Sequence, residues 1–201
     1  MEINYGLYYR LDLHPWEHYA KLHLANFEHQ LQVEIERHAG ASPGVLPRAI
    51  DLGCGSGIHC RRMAAAGFEV VGVDAQQQTL VRARDQSGPH ETYLQADVTD
   101  LSELTPGFNF LLDSGCLQGL AGEARSRYGH AVGRLAAPGA TFLALQFGNS
   151  RFNSFIGGIS REELQDVLPQ WALTDDYPAE TRGLGWFQKQ SRPHWYRFLY
   201  R

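Results

Sequence analysis

The sequence predicts an α/β fold: a doubly wound, mostly parallel seven-stranded sheet with an antiparallel C-terminal edge strand and an N-terminal helical lid. Three observations lead to this prediction. Five short apolar segments alternate with helix-sized segments over residues 49–148, which is typical of βαβ units. Two more strand-like segments close the chain. With 201 residues and 43% hydrophobic residues, residues 1–201 are expected to form one domain.

The head, residues 1–47, is predicted to contain one amphipathic helix. Pro15 suits a first helical turn, and apolar residues then recur at steps of three and four from Trp16 to Ile35. Two interpretations stay open, and both can hold: the helix packs on the sheet, or it covers a ligand pocket as a lid. Residues 48–201 then form the core that carries the sheet.

Strands and helices are predicted in alternation along this core. A helix beginning at Ser160 has the capping-box pattern, with Glu163 three residues later. The last two strands have no helical pattern between them, so we expect them to be antiparallel. The predicted strands are 49–54, 69–74, 91–97, 108–115, 141–148, 171–177 and 194–201, and the predicted helices between the first five are 58–66, 75–86 and 123–136, with a short turn at 100–104.

Composition and charge narrow the function classes. The formal net charge is −4 and the sequence pI is about 6.1, so the chain lacks the positive excess of nucleic-acid or anionic-membrane binders. We therefore expect a small-molecule partner, no nucleic acid and no membrane. Three cysteines without a CxxC spacing, and a start without a signal-peptide layout, predict a reducing, cytoplasmic setting.

A glycine-rich turn follows the first predicted strand. Gly53, Gly55 and Gly57 stand at alternate positions, directly before the helix predicted from Ile58. Glycine permits a sharp turn and a close approach to the backbone, and a helix start offers free N–H groups and partial positive charge. This first strand-to-helix turn is a usual ligand site of Rossmann-like sheets.

Four aspartates end four successive predicted strands: Asp51, Asp74, Asp97 and Asp113. Asp74 lies 21 residues after Gly53, where a carboxylate can accept both hydroxyls of a ribose. A single strand-end aspartate is more often a turn former or a cap. Four in series indicate a binding site.

These segments resemble the ordered motifs of the class I S-adenosylmethionine-dependent methyltransferases over residues 49–148: DLGCGSG, the aspartates of VVGVDA and LQADV, LLDSG, and APGA. The head, with YYRLDLHPWE, and the tail, with GISREEL and two strands, are similar to the thiopurine methyltransferase and tellurite-resistance-like branch. The resemblance implies S-adenosylmethionine as cofactor and in-line methyl transfer to an O, N, S or C nucleophile of a small molecule.

The resemblance also implies the cofactor contacts, residue by residue. The methionine part would be held by Asp51 and the backbone of Gly53, Cys54, Gly55 and Gly57, the ribose by Asp74 with Ala75 and Gln76 beside it, the adenine by Asp97 and the Val98 N–H, and the methionine amine and methyl group would lie beside Asp113 and Ser114.

Two other functions stay open. A nicotinamide oxidoreductase would carry GxGxxG, whereas this turn reads GxGxG, and Asp51 would bring negative charge near a pyrophosphate. A protein that binds the cofactor without catalysis is the second alternative. The histidines and cysteines show no metal-ligand spacing, so no metal is expected.

The acceptor pocket is expected between the loops after the fourth and fifth strands, the tail loop and the head. Its aromatic side chains suit a planar or apolar acceptor. His14 is a candidate general base, against the alternative of a capping or surface histidine, and a thiolate or free amine acceptor would need no base. The candidate acceptor contacts are Tyr8, Tyr9, Trp16, Cys116, Gln118, Phe147 and Phe152.

Overall fold

The computed structural model describes residues 24–38, 44–148, 157–183 and 189–201. Seven strands and five α-helices form the described part of the chain. The helices are α1 (Leu24–His38), α2 (Ile58–Ala65), α3 (Gln77–Asp85), α4 (Glu123–Leu135) and α5 (Arg161–Val167). The strands are β1 (Arg48–Leu52), β2 (Glu69–Asp74), β3 (Glu91–Gln95), β4 (Phe108–Ser114), β5 (Ala136–Phe147), β6 (Trp171–Pro178) and β7 (Pro193–Tyr200).

All seven strands belong to one sheet with the order β3-β2-β1-β4-β5-β7-β6. Strands β1 to β5 pair in parallel, and β7 pairs antiparallel with both β5 and β6. This confirms the predicted α/β fold class. The antiparallel C-terminal strand lies one position inside the edge, because β6 takes the outer place. The order reverses between β1 and β4, so the first strand-to-helix turn opens at the switch point of the sheet.

Helices cover both faces of the sheet and bury two separate apolar clusters. Helices α1, α2 and α3 pack on one face, where Phe27, Met63 and Leu80 are buried together. Helices α4 and α5 pack on the other face, where Tyr128 and Leu164 are buried. Successive strand residues therefore supply alternate faces, as the short apolar runs of the sequence require.

The predicted boundaries hold to within a few residues, with one difference at β5. The structure begins this strand at Ala136, directly after α4, whereas the sequence predicts its start at Thr141. Ala136 already pairs with Phe108 of β4, and the next pair joins Thr141 to Phe110, so the Pro138-Gly139 pair lies in a bulge within β5, where Gly139 has φ at 73°. The capping box of α5 is confirmed, with reciprocal hydrogen bonds between Ser160 and Glu163.

The described part of the head is packed on the sheet. Phe27 and Leu31 of α1 are buried at their predicted positions. A buried ion pair fixes the helix to the sheet as well: Arg197 of β7 donates to Glu34 of α1 over 2.8 Å, and Thr141 of β5 donates to the same carboxylate. Residues 1–23 and 39–43 of the head lie outside the described residues, and the lid formed by residues 1–47 stays a prediction.

Candidate active site

The glycine turn adopts the conformation that the sequence predicts for a ligand site. Gly53, Gly55 and Gly57 have φ angles of 77°, 54° and 72°, a region that other residues occupy at a steric cost. Gly57 is the N-cap of α2, and no described side chain caps this helix. The N-terminal amides of α2 are therefore left to backbone, water or ligand.

Two side chains close around the turn and leave no space for a Cβ atom. A Cβ on Gly53 would lie 2.8 Å from Cβ of Cys116, in the loop after β4. A Cβ on Gly57 would lie 2.3 Å from the hydroxyl of Tyr93 on β3, and the Tyr93 ring also fills the space above Gly72 of β2. Cys116 thus packs against the start of the turn and Tyr93 against its end.

Asp51, on β1 beside the turn, is almost completely buried. Burial raises the pKa of this carboxyl to about 7, and the Cys60 thiol donates to Oδ2 over 3.3 Å. A carboxylate in so apolar a place is stabilised by a nearby positive charge and opposes a nearby phosphate. Its environment fits the amino-acid tail of S-adenosylmethionine, which carries a cationic amine.

Asp74, the last residue of β2, links the second strand to the turn. Its Oδ2 accepts from the Gly55 amide over 2.9 Å, and its Oδ1 accepts from the Gln76 amide over 2.7 Å at the start of α3. Ala75 lies between them and is exposed. The carboxylate therefore lies at the mouth of the turn, where the ribose contact was predicted, and a carboxylate offers about four acceptor sites.

Asp97 and Val98 follow β3 at the same edge of the sheet. The Asp97 side chain is exposed, and its Oδ1 accepts from the Thr99 amide over 2.8 Å. Val98 is buried in the apolar cluster under α4. The turn thus presents a carboxylate to solvent above an apolar residue, an arrangement that fits an adenine ring and its amino group.

Asp113, near the end of β4, is held by a set of buried hydrogen bonds. Its side chain is fully buried, and its two oxygens accept four hydrogen bonds of 2.6 to 2.9 Å. The donors are the amides of Cys116 and Leu117, the Tyr128 hydroxyl and the Gln146 side chain. Asp113 thus organises the loop after β4, and Ser114, at the strand end, is half-buried. The place of both residues beside the methionine amine and the methyl group stays a prediction.

The loop after β4 brings three of the candidate acceptor contacts together. Cys116 is half-buried against the glycine turn, and burial beside Asp113 raises the pKa of its thiol well above the ordinary value. Gln118 is buried in a single 3-10 turn, Leu117–Gly119, and its side-chain oxygen accepts from the amide of Phe147 at the end of β5. Cys116, Gln118 and Phe147 therefore lie at one edge of the sheet, and their contact with the acceptor stays a prediction.

Five other candidates lie outside the described residues: Tyr8, Tyr9, His14, Trp16 and Phe152. Three residues of the site were missed at the level of sequence. Tyr93, Tyr128 and Gln146 each read as part of an apolar strand or helix, yet Tyr93 shapes the turn, and the other two hold Asp113. A polar atom at the carboxyl end of a buried element is the only sequence signal that would have marked Gln146.

A buried histidine joins the turn to α1. His59, in the first turn of α2, packs against Phe27 of α1 with the rings tilted by 58° and a ring-centroid distance of 4.5 Å. Burial lowers its pKa to about 4, so the ring is neutral near pH 7. Among the described residues, no group of three or more histidine, cysteine, aspartate or glutamate side chains is placed to hold a metal ion. None of the described helices combines the length and the apolar character needed to cross a membrane.

Comparison with known proteins agrees with this geometry. Residues 49–139 match the model of a family described as a methyltransferase domain. The chain is 30% identical over 138 residues to the 2-heptyl-1-hydroxyquinolin-4(1H)-one methyltransferase of Mycobacteroides abscessus, covering 65% of this chain and 61% of that protein. It is 32% identical over 111 residues to the ubiquinone biosynthesis O-methyltransferase of Ruegeria pomeroyi, covering 49% of this chain and 45% of that protein. The matches thus span less than two thirds of either relative.

Solved structures show the same fold. The N-methyltransferase NodS of Bradyrhizobium japonicum, in complex with S-adenosyl-L-homocysteine, superposes with a TM-score of 0.69 and 16% identity, covering 95% of this chain and 90% of that one. The 1,6-didemethyltoxoflavin-N1-methyltransferase of Burkholderia thailandensis superposes with a TM-score of 0.65 and 18% identity, covering 98% and 88%. At these identities the likeness concerns the fold.

Proposed function

We infer that the chain is a class I S-adenosylmethionine-dependent methyltransferase, and we propose that it methylates a small planar acceptor. The family match over residues 49–139 includes the glycine turn and all four strand-end carboxylates. S-adenosylmethionine, the cofactor predicted from the sequence, is confirmed as the cofactor of this family. The thiopurine and tellurite-resistance-like branch, and the cytoplasmic location, stay predictions.

One observation carries the proposal: the turn from Gly53 to Gly57 has no space for a Cβ atom at either of these two glycines, and the Gly55 amide joins the turn to the strand-end carboxylate of Asp74. We propose that the turn and Asp51 hold the methionine part, that Asp74 accepts the ribose hydroxyls, and that the exposed Asp97 accepts from the adenine amine. The backbone of Cys54 and of Val98, and the residues Ala75, Gln76 and Ser114, line the same groove.

The bound cofactor supplies a methyl group that is already activated by a sulfonium. The chain therefore has to position the acceptor, exclude water and leave the departing sulfur in an apolar setting, and positioning alone contributes roughly 7 to 11 kcal/mol in well-aligned systems. Asp113 does this indirectly, because its four hydrogen bonds fix the loop that carries Cys116 and Gln118. Because burial raises the pKa of the Cys116 thiol, this residue stays protonated; it lines the pocket and does not act as a nucleophile.

For the acceptor we propose an aromatic or heteroaromatic hydroxyl. One relative is named for a hydroxyquinolone and another for O-methylation in ubiquinone biosynthesis, and the half-buried Phe147 gives the end of β5 an aromatic side chain. A hydroxyl acceptor benefits from a general base. His14 remains the candidate for that base.

Two measurements test this function. Titration calorimetry should show binding of S-adenosylhomocysteine and no binding of NAD, because Ile58, the first residue of α2, stands where the dinucleotide-binding pattern GxGxxG has its last glycine. Incubation with methyl-labelled S-adenosylmethionine and a panel of hydroxyarenes, hydroxyquinolones, thiols and amines should then label at least one hydroxyl compound. Binding of NAD without S-adenosylhomocysteine would refute the assignment. Cofactor binding without transfer to any class of acceptor would support the non-catalytic alternative.

A further inference from the structure

The carboxamide of Gln118 is the best-defined polar group in the loop after β4. The residue is 4% exposed. Its Oε1 accepts from the Phe147 amide, and a backbone N–H can be satisfied only by an acceptor. This contact therefore assigns the oxygen end of the amide to β5 and turns the nitrogen, with its two protons, to the opposite side.

A chain of hydrogen bonds fixes this orientation from Asp113. The Gln146 Nε2 donates to Asp113 Oδ1 over 2.8 Å, and a carboxylate can only accept. The Gln146 Oε1 is thereby directed to the backbone amide of Gln118, which donates to it over 3.1 Å. Asp113 also accepts from the amide of Leu117, directly before Gln118. Both the backbone and the side chain of Gln118 are thus held in place.

The free end of the amide lies at the carboxyl end of β4. Nε2 lies 3.5 Å from the position that a Cβ on Gly115 would occupy. No described residue accepts a hydrogen bond from Nε2. Nε2 is also not one of the described buried polar atoms that lack a partner, so it is accessible to water or to a ligand although the residue as a whole is buried. A donor held in one orientation at an accessible position is preorganised for an acceptor atom of a ligand. Cys116, two residues before Gln118, lies directly against Gly53. The loop that carries the Gln118 amide is therefore packed on the cofactor turn.

We propose that Nε2 of Gln118 donates a hydrogen bond to the methyl acceptor, and that the protein selects hydroxyarenes with a hydrogen-bond-accepting oxygen or ring nitrogen next to the methylated hydroxyl. This rests on the proposed function. The amide positions the acceptor and discriminates between acceptors. A site built to pair a buried donor rejects an analogue that lacks the accepting atom, because the donor is then left without a partner.

Two matched pairs of acceptors test the proposal. 8-Hydroxyquinoline and 1-naphthol differ by one ring nitrogen, and catechol and phenol differ by one neighbouring hydroxyl. For the wild type, kcat/KM should favour the first member of a pair by about tenfold or more. In Gln118→Met, which has no donor, this preference should fall to about one. Gln118→Glu keeps an oxygen for the Phe147 amide and loses the donor, so it should lose the preference in the same way.

Controls separate this role from a structural one. Gln165→Met removes a glutamine from the exposed side of α5 and should leave both the preference and the rate unchanged. S-adenosylhomocysteine should bind all variants within about twofold of the wild type, because the cofactor groups are untouched. A tenfold preference that survives in Gln118→Met would overturn the proposal, as would a wild type that methylates none of the four probes. A wild type that fails to bind S-adenosylhomocysteine would instead overturn the proposed function.

Discussion

Gly57→Ala is the substitution for which the structure makes the sharpest prediction. Gly57 has φ at 72°, and an added Cβ would lie 2.3 Å from the hydroxyl oxygen of Tyr93 and 2.8 Å from Cζ of the same ring. Alanine therefore meets two separate costs, one from the backbone conformation and one from the collision. Either the turn or the Tyr93 ring must move, and the turn is the element that we propose to bind the cofactor.

The two costs can be estimated separately. Placing a non-glycine residue in the left-handed region costs about 1–2 kcal/mol. Forcing an extra carbon into a filled space costs about 1–3 kcal/mol. We therefore expect the free energy of unfolding of Gly57→Ala to fall by about 2–5 kcal/mol. The affinity for S-adenosylhomocysteine should fall as well, because a displaced turn loses the bond from Gly55 to Asp74.

Gly139 offers a matched control. Its φ of 73° is almost the same, and nothing lies within 4 Å of an added Cβ. Gly139→Ala should thus cost only the backbone part, about 1–2 kcal/mol, and leave cofactor affinity unchanged. Urea unfolding measures both stabilities, and titration calorimetry measures the affinity. In a double variant, Tyr93→Ala should recover part of the loss in Gly57→Ala, with a coupling energy of about 0.5–3 kcal/mol.

Equal destabilisation of the two alanine variants would refute this reasoning, because it would mean that the collision with Tyr93 contributes nothing. So would a Gly57→Ala protein with unaltered affinity, since the turn would then tolerate the displacement without any effect on the ligand.

Three further predictions concern the same edge of the sheet. Asp74→Ala should weaken S-adenosylhomocysteine binding about ten- to a hundredfold in a folded protein, because hydrogen bonds to a charged group contribute about 1.5–3 kcal/mol; calorimetry with unchanged affinity would make Asp74 a turn residue only. Burial raises the folded-state pKa of Asp51 from 3.8 to about 7, so the stability of the wild type relative to Asp51→Asn should be highest below about pH 4 and decline up to pH 7, by about 4 kcal/mol at most. If urea unfolding gave the same difference in stability between the two proteins at every pH from 4 to 7, this prediction would be wrong. Deletion of residues 1–15 should abolish methyl transfer and leave cofactor binding, and turnover at the full rate would exclude the lid.

The fold could be predicted from the sequence because each strand and helix of a parallel α/β fold has its own local hydrophobic pattern. Each parallel strand is a short apolar run, and each connection is a helix with recognisable ends, so the α/β class follows without tertiary information. What it could not show is the lateral order. That β7 inserts between β5 and β6 depends on pairing between distant segments, and the early start of β5 at Ala136 depends on its neighbour Phe108.

The sequence indicates where the carboxylates of the candidate site lie, but it does not indicate which groups they bond to. Strand-end carboxylates are visible in a sequence, and the structure joins Asp74 to the glycine turn through the Gly55 amide and leaves Asp97 exposed after β3. Their partners are not visible. Tyr93 lies 36 residues beyond Gly57 in the chain, and nothing in either segment indicates that the two residues compete for the same space.

Asp113 shows why the partners of a carboxylate decide its role. With four donors within 2.9 Å and no exposed surface, its oxygens are already committed to the loop that they organise. Asp97 accepts one described hydrogen bond and faces solvent, so its second oxygen can serve a ligand. Asp97 and Asp113 look alike in the sequence, as aspartates at strand ends. The number of donors that each carboxylate accepts from distinguishes a structural carboxylate, Asp113, from a candidate binding carboxylate, Asp97. The same count identifies Gln118, whose oxygen has a partner and whose nitrogen has none among the described residues. Asp113 therefore fixes the loop after β4, and we propose that Asp97 and the Gln118 nitrogen, which keep bonding capacity, contact the ligands.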